Sequence, residues 1–343
     1  MMTIKRHVTR NDVAREAGVS PAIVSYVINN GPRPVAPETY KKVLEAIERL
    51  GYKPNAIARS LRLQRSSTIG LILPDTQNPY FAEVARGVEK IAFQKGFSII
   101  LCHSDYSLEQ EIRYVNVLDS ERVAGVLWFP ATNDPKPHQL LSESGVPVVV
   151  LDRIVRGIQA HFVVADNFRG GYIATKHLIE LGHLSIGCIT RPMDLYHSQE
   201  RVRGYRAAFA DHGIPEDLSL IVKGGFRLED GRRAAKQLFD LKPAPTAIFA
   251  YNDFMAIGAL RAANERGLRV PLDVSIIGFD DIPQSAFTVP ALTTIRQPKF
   301  EMGCRGAELL IDLIDKKKHT SPVNSPLDVQ LIVRESTACV NSN

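Results

Sequence analysis

The chain has one tryptophan and only four cysteines in 343 residues. Cys102, Cys188, Cys304 and Cys339 are scattered and form no CxxC pair, which leaves no framework of paired cysteines for redox work or zinc, so reduced structural thiols are expected. No apolar stretch reaches the roughly 18 residues a membrane helix needs. No apolar segment of signal-peptide kind stands near the start, so neither a membrane span nor secretion is expected, and a cytoplasmic setting is. The phosphate loop GxxxxGK(S/T), the nucleophile elbow GxSxG and the zinc motif HExxH are all missing. The nine histidines are dispersed, and His177 and His183, around the helix end at Gly182, read as surface residues rather than metal ligands. Catalysis, a metal site and a cofactor are therefore not expected. The tail from Val333 to Asn343 has no leucine heptads, which argues against a tetramerising coiled coil.

Charge is unevenly spread. Residues 1–65 hold 12 Lys and Arg against 5 Asp and Glu, whereas residues 66–343 hold 30 against 32, so the net charge of +5 comes from the N-terminal part. An excess of this kind suits neutralisation of phosphates, although a basic run is commonly just a solvated face.

The same part carries helix signals. Thr9 followed by Asp12 forms a capping-box pattern that starts a helix from about Arg10 to Ala17. Gly18 permits a turn, Ser20 is a favoured N-cap, and Pro21 fits the first position of a second helix. Val13, Ala14, Ala17, Val24 and Ile28 then form a small core, leaving Pro21, Ala22, Ser25, Tyr26 and Asn29 outward. Such a helix-turn-helix presents this face to the major groove; an ordinary helical hairpin is the alternative. A third helix follows from PETYKK without a capping side chain at Ala36, a loss of about 1 kcal/mol. Asn55 then caps a short basic segment, Ala56 to Leu61, too brief to be stable alone.

Beyond Ser66 the pattern changes. TIGLILPD, FSIILCHSD, AGVLWFP and VPVVVLDR, then SIGCIT, TAIFAYND and VSIIGFDD, are short apolar runs. Between them lie helical stretches at about 81–95, 108–120, 171–181, 200–212, 231–241 and 255–266. This alternation predicts an α/β fold, two lobes of parallel sheet flanked by helices, behind an N-terminal three-helix domain and hinge helix. The divisions expected are 1–53, 54–65 and 66–343, with lobe one at about 66–164 and 295–327 and lobe two at about 165–294 and 328–343. Asp75, Asp152, Asn252 and Asp280 follow apolar runs, at the strand ends where such sheets bind ligands.

DVAREAGVSPAIVSYVINN, PNAIARSLR, NPYF, LDR, ERVRGY, YNDFMAIGAL, VSIIGFDD and LTTIRQP, in this order and spanning nearly the whole chain, resemble the LacI/GalR family of bacterial transcription regulators. The resemblance implies a helix-turn-helix, a hinge helix and a core like periplasmic sugar-binding proteins. It matches Pro21, Ala22 and Tyr26 to base-selecting positions, and Thr9, Ser20, Ser25 and Asn29 to positions that contact the DNA backbone or pack. The family commonly has Arg where Tyr26 stands, and Tyr lacks the two-pronged donor for guanine, so either an altered operator base or packing of Tyr26 on a phosphate or sugar is implied. Paired hinge helices would enter the minor groove, with Leu61 as a wedge and Asn55, Ala58 and Arg59 at groove edges and phosphates.

The resemblance also implies an effector pocket of Asn78, Tyr80, Phe81, Asp152, Arg153, Arg201, Phe226, Asn252, Asp280 and Gln297. Asp152, Arg201, Asn252 and Asp280 would hold sugar hydroxyls and Tyr80, Phe81 and Phe226 would stack on the ring, with His197 and Leu195 tuning specificity. Purine-responsive members of the family have an aromatic at the position of Arg153 and an arginine at that of Leu195. Their absence favours a monosaccharide, ribose-like first. The partners expected are a pseudo-palindromic operator, the effector and a second copy of the chain, with effector and DNA linked through the hinge helices. A periplasmic solute-binding protein would lack a reason for the helix-turn-helix, and a sugar-modifying enzyme lacks its motifs.

Overall fold

The computed structural model describes residues 8–29, 31, 33–52, 66–191, 195–316 and 326–340. It divides between Ser66 and Ser67 into two compact units.

The first unit has helices α1 (Arg10–Glu16), α2 (Pro21–Asn29) and α3 (Pro37–Leu50). Asp12 Oδ2 accepts from the Thr9 amide at 2.9 Å and the Thr9 hydroxyl at 2.6 Å, while Thr9 Oγ1 accepts from the Asp12 amide at 3.4 Å. Gly18 turns the chain with φ +64°, a conformation that favours glycine, and Ser20 Oγ accepts from the Ile23 amide. Ala36 provides no side-chain cap to α3. The core is Val13, Ala14, Val24, Val27, Val43 and Ala46, with Ala17 and Ile28 partly buried around it. Val27 thus takes an inner place expected for Ile28, because the contact stripe runs through positions 24 and 27, one short turn apart. The short helix expected over Ala56 to Leu61, with Asn55, Ala58, Arg59 and Leu61, lies outside the described residues.

The second unit contains two sheets. The first uses β1 (Thr68–Leu73), β2 (Ser98–His103), β3 (Val126–Trp128), β4 (Val148–Leu151) and β5 (His161–Val163) in the order β2-β1-β3-β4-β5, all parallel. Thr68 pairs with Ser98, and Gly70 with Val126. Ile69, Leu71 and Leu73 point to one face and Ile72 to the other, so both faces are buried under apolar clusters. Its helices are α4 (Pro79–Gln94), α5 (Leu108–Ser120), α6 (Lys136–Glu143) and α11 (Lys299–Ile314).

The second sheet uses β6 (Ile186–Thr190), β7 (Ile221–Lys223), β8 (Ala247–Ala250), β9 (Ser275–Asp280), β10 (Thr293–Arg296) and β11 (Gln330–Ile332), ordered β11-β10-β9-β8-β6-β7. Its helices are α7 (Asn167–Glu180), α8 (Tyr196–Asp211), α9 (Leu228–Phe239) and α10 (Asp253–Glu265). The strands are parallel as expected except at one edge, where β11 is antiparallel to β10, the chain returning to this sheet after crossing to the first through α11. That crossing leaves β10 after Arg296. A further pairing of the crossing strands joins Leu327 to Val164 and Asp166 at 2.8 and 2.9 Å.

Strand order reverses at β1 in one sheet and at β6 in the other. A crevice at the carboxyl ends of such strands is the usual ligand position in open α/β sheets. Helices α7 and α8 pack closely enough that a Cβ at Gly204 would lie 2.1 Å from the Phe168 carbonyl oxygen, which requires glycine there. This approach brings Asn167 of α7 against Arg201 of α8.

Candidate functional site

On α2, Ala22 is exposed, and Pro21 and Tyr26 are half-buried. Thr9 is exposed at the start of α1, with its hydroxyl committed to the capping box. Ser25, expected on the outward face, is buried. Packed between α1 and α3, the short α2 has an inner stripe wide enough to take in this small side chain. The Tyr26 ring lies against Gly31, where a Cβ would meet its Cδ1 at 2.5 Å, so the ring is braced by the backbone beyond the helix.

The cleft residues come from both sheets. Asn78 caps α4, its Oδ1 accepting from the Tyr80 amide at 2.9 Å, and Asn252 caps α10 by accepting from the Met255 amide at 2.9 Å. Both side-chain oxygens thus serve as helix caps. The Tyr80 hydroxyl donates to Asp152 Oδ1 at 2.6 Å. Burial first, and then the Asp152 charge, hold this phenol well above its ordinary value, so it remains a donor. Phe81 joins the hydrophobic core, edge-on to Tyr80 and Phe129 with ring centres 5.0 and 5.5 Å apart. Phe81 and Tyr80 thus both stand in the core cluster beneath the strand ends.

Asp152 and Arg153 are buried, not a surface pair. Arg153 Nη1 donates to the carbonyls of Pro130 and Ala131, and its Nε lies 3.6 Å from Asp152 Oδ2. The same loop is held from beneath by Glu111, which accepts from the Trp128 indole at 3.0 Å and the Ala131 amide at 2.7 Å. Burial pushes the Glu111 carboxyl up to about 7.

From the second sheet, Arg201 donates to Asn167 Oδ1 at 2.8 Å and to the Tyr251 carbonyl at 2.6 Å, with its guanidinium 3.6 Å above the Phe279 ring. Asp280 Oδ1 accepts from Gln297 Nε2 at 2.7 Å, and the Asp280 carbonyl accepts from Lys299 Nζ. Burial pushes the Asp280 carboxyl up to about 7, against the pull of Arg201. His197, edge-on to Tyr251 at 5.6 Å, is held well below its ordinary value by burial and then by Arg153, Arg191 and Arg201, so it is neutral near pH 7. Phe226 stacks at 4.1 Å on Tyr106, which follows β2, so this pair joins the two lobes. An exposed ion pair between Arg227 and Asp105 at 3.2 Å also spans them.

Positive φ values gather here: Asp105 +46°, Tyr106 +57°, Asp152 +70° and Asp280 +124°. Non-glycine residues held in this sparsely populated region concentrate at ligand clamps and active sites, where the surrounding fold offsets a cost of about 1–3 kcal/mol each.

The sequence did not single out Arg191, Tyr106, Tyr251 and Asn167. Arg191 is buried and follows β6, the strand of order reversal, just as Asp152 follows β4; that strand-end position was the available signal. Its guanidinium sits 3.5 Å over Phe226 and its Nη1 is 3.5 Å from His197 Nε2. His183 is also corrected: it is buried, bonded to Thr246 Oγ1, Ser275 Oγ and the Ala338 carbonyl at 2.9 to 3.1 Å, because the irregular C-terminal segment beyond β11 lies against it. No group of metal ligands occurs among the described residues.

Residues 9–55 match the model for bacterial regulatory proteins of the lacI family, and residues 175–337 match a periplasmic binding protein-like domain. A relative in Photobacterium profundum, the HTH-type transcriptional repressor PurR, is 38% identical over 97% of this chain and 99% of its own. This chain belongs to the lacI family. It is a DNA-binding transcriptional repressor of that family and not an enzyme. Among solved structures, a transcriptional regulator CelR-cellobiose complex is 35% identical over 96% of this chain and all of its own, with a TM-score of 0.75. The lac repressor dimer bound to operator and the anti-inducer ONPF is 28% identical over 97% and 100%, with a TM-score of 0.87. In this family frame, the three-helix unit is the DNA reader and the two-sheet unit is the small-molecule binder.

Proposed function

We propose that the cleft between the two sheets binds a small polyhydroxylated effector, a monosaccharide or close derivative, and that this changes the affinity of a homodimer for a pseudo-palindromic operator. The observation that carries the reading is a set of buried polar atoms from both lobes without hydrogen-bond partners: Arg153 Nε, Arg191 Nε and Nη2, His197 Nδ1 and Gln297 Oε1. Donors and an acceptor arranged in one crevice suit the vicinal hydroxyls of a sugar. The complex of the CelR relative with cellobiose supports the ligand class.

A purine-responsive repressor is the second reading. It is favoured by the relatives named PurR, and by Arg191, which supplies the cleft with the guanidinium that position 195 lacks. Against it, Arg153 occupies an aromatic position and donates to loop carbonyls, and Tyr106 and Phe226 already stack on each other.

Binding of the effector would shift the equilibrium between states that hold the operator differently, and the coupling would be reciprocal. A repressor that reads operator DNA works in the cytoplasm. The test is titration of a pseudo-palindromic operator at fixed salt, alone and with a panel of monosaccharides and purine bases. A change in affinity with a sugar supports the reading; a response confined to purines replaces it with the second.

A further inference from the structure

The buried charges of the cleft do not balance among the described residues. Arg153 lies beside Asp152, and Arg201 acts on Asp280, which its charge helps to ionise. Among the described residues no carboxylate stands beside Arg191 in this way. This arginine is 4% exposed, its Nε and Nη2 bond to nothing, and its neighbours are the rings of Phe226, Tyr106 and Tyr251, at 3.5, 5.3 and 5.3 Å, and the imidazole of His197. Burial and then the positive charge of Arg153 oppose its ionisation, while the Tyr251 phenol, through its charge and a hydrogen bond, and the Tyr106 phenol act the other way. Aromatic faces attract a guanidinium, but they do not accept its in-plane N–H groups. A buried cation without a counter-ion costs several kcal/mol, and such sites are characteristic of ligand-binding positions rather than of folding cores.

Position adds a second constraint. Arg191 follows β6, where the order of the second sheet reverses, and Arg153 approaches from the first sheet. Two guanidiniums facing one crevice from opposite lobes repel as the crevice closes, unless something negative lies between them. The guanidinium of Arg191, its Cζ 3.5 Å from the centre of the Phe226 ring, leaves Nε and Nη2 without partners, and these two N–H groups share the edge of the fork that binds two oxygens of one carboxylate or phosphate.

We propose that the effector is anionic, a sugar acid or a sugar phosphate whose oxyanion seats on the free edge of Arg191 while its hydroxyls meet Asp152, Arg201 and Asp280. This rests on the cleft being the effector site and narrows the ligand class within that reading. Arg191 is then the residue that separates charged from neutral sugars.

The experiment is binding to the full-length chain by calorimetry and thermal shift, with matched ligands: an aldose, its aldonate or uronate, and its phosphate ester, for several parent sugars. An anionic member is expected to bind at least about tenfold more tightly than its neutral parent, the difference between charged and neutral hydrogen bonds. Preference for the carboxylate or for the ester identifies which oxyanion is used. Arg191→Gln should level the anion with its parent, and Arg191→Lys should keep part of the preference. Equal or tighter binding of neutral parents would overturn the inference while leaving the sugar-responsive repressor intact. The same holds if the preference survives Arg191→Gln. Stabilisation by inorganic phosphate as strong as by any sugar anion would also overturn it, marking a bare anion site. Binding by purine bases alone would instead remove the reading on which it rests.

Discussion

On α2 the candidate DNA-facing residues stand at the surface, with Ala22 exposed and Pro21 and Tyr26 half-buried, whereas in the cleft Asp152, Arg153, Arg201, Asn252 and Asp280 are each at most 6% exposed. These side chains are partly or fully open to water, and the start of the helix is fixed by the Ser20 cap. The cleft holds its side chains in mutual hydrogen bonds and in strained backbone, with a few atoms left over. A partner as large as DNA supplies its own geometry and rewards many weak contacts. A ligand of a dozen atoms must be met by groups already positioned, since ordering them on binding would consume most of the affinity.

This contrast is broken most severely by removing a fixed group from the cleft. Asp280→Ala leaves Gln297 Nε2 without its acceptor and removes a carboxyl group that interacts with the Arg201 charge, so effector affinity should fall by at least about 100-fold, roughly 3 kcal/mol. Calorimetry on the variant checks this, and retained affinity within a few-fold would mean that the ligand lies elsewhere. Gly204→Ala attacks the scaffold instead. Its Cβ would stand 2.1 Å from the Phe168 carbonyl oxygen, forcing α7 from α8 and Asn167 from Arg201, at about 1–3 kcal/mol of core stability in urea unfolding.

Tyr26 sharpens the other side. Tyr26→Arg should gain about 1–3 kcal/mol for operators carrying guanine at the facing base, read by binding to a set of operator variants, whereas a phosphate-packing Tyr26 would give a uniform change across sequences. A pH series adds a graded test of cleft burial. Asp280 titrates at about 7 in the fold against an ordinary 3.8, so its stabilising contribution is full below pH 3.8 and is lost as pH rises through 7. The stability of the native chain relative to Asp280→Asn should therefore decline by up to about 1.4 kcal/mol per pH unit between pH 5 and 7, and be flat above pH 8. The smallest effect belongs to the cap: Thr9→Ala should cost the three-helix unit about 1 kcal/mol in thermal unfolding and leave effector affinity unchanged.

The two regions also differed in how far their sequences could be read. Caps and turns are local, so Thr9, Gly18, Ser20 and Pro21 located α1 and α2 to within a residue; only the depth of Ser25 depended on neighbours distant in sequence. In the core, α4, α7 and α10 begin earlier than their apolar periodicity suggested. Their starts are set by Asn78, Asp166 and Asn252, which cap them. Asn78 and Asn252, expected as ligand groups, are thus also helix caps. Short segments such as β5, β7, β11 and α6 passed unrecognised, because three-residue strands and an eight-residue helix leave little periodic signal. Arg191 was missed for a different reason: a lone arginine after an apolar run looks like a surface residue until the fold buries it.

The most direct test of conditional repression is reciprocity. Operator affinity would be measured with and without saturating effector, and effector affinity with and without saturating operator, at one salt concentration and temperature. Linkage requires the same factor in both directions, on the order of 5–150-fold for typical coupling. Equal, substantial factors are the predicted result. An effector that binds the cleft tightly while neither affinity changes would contradict the account.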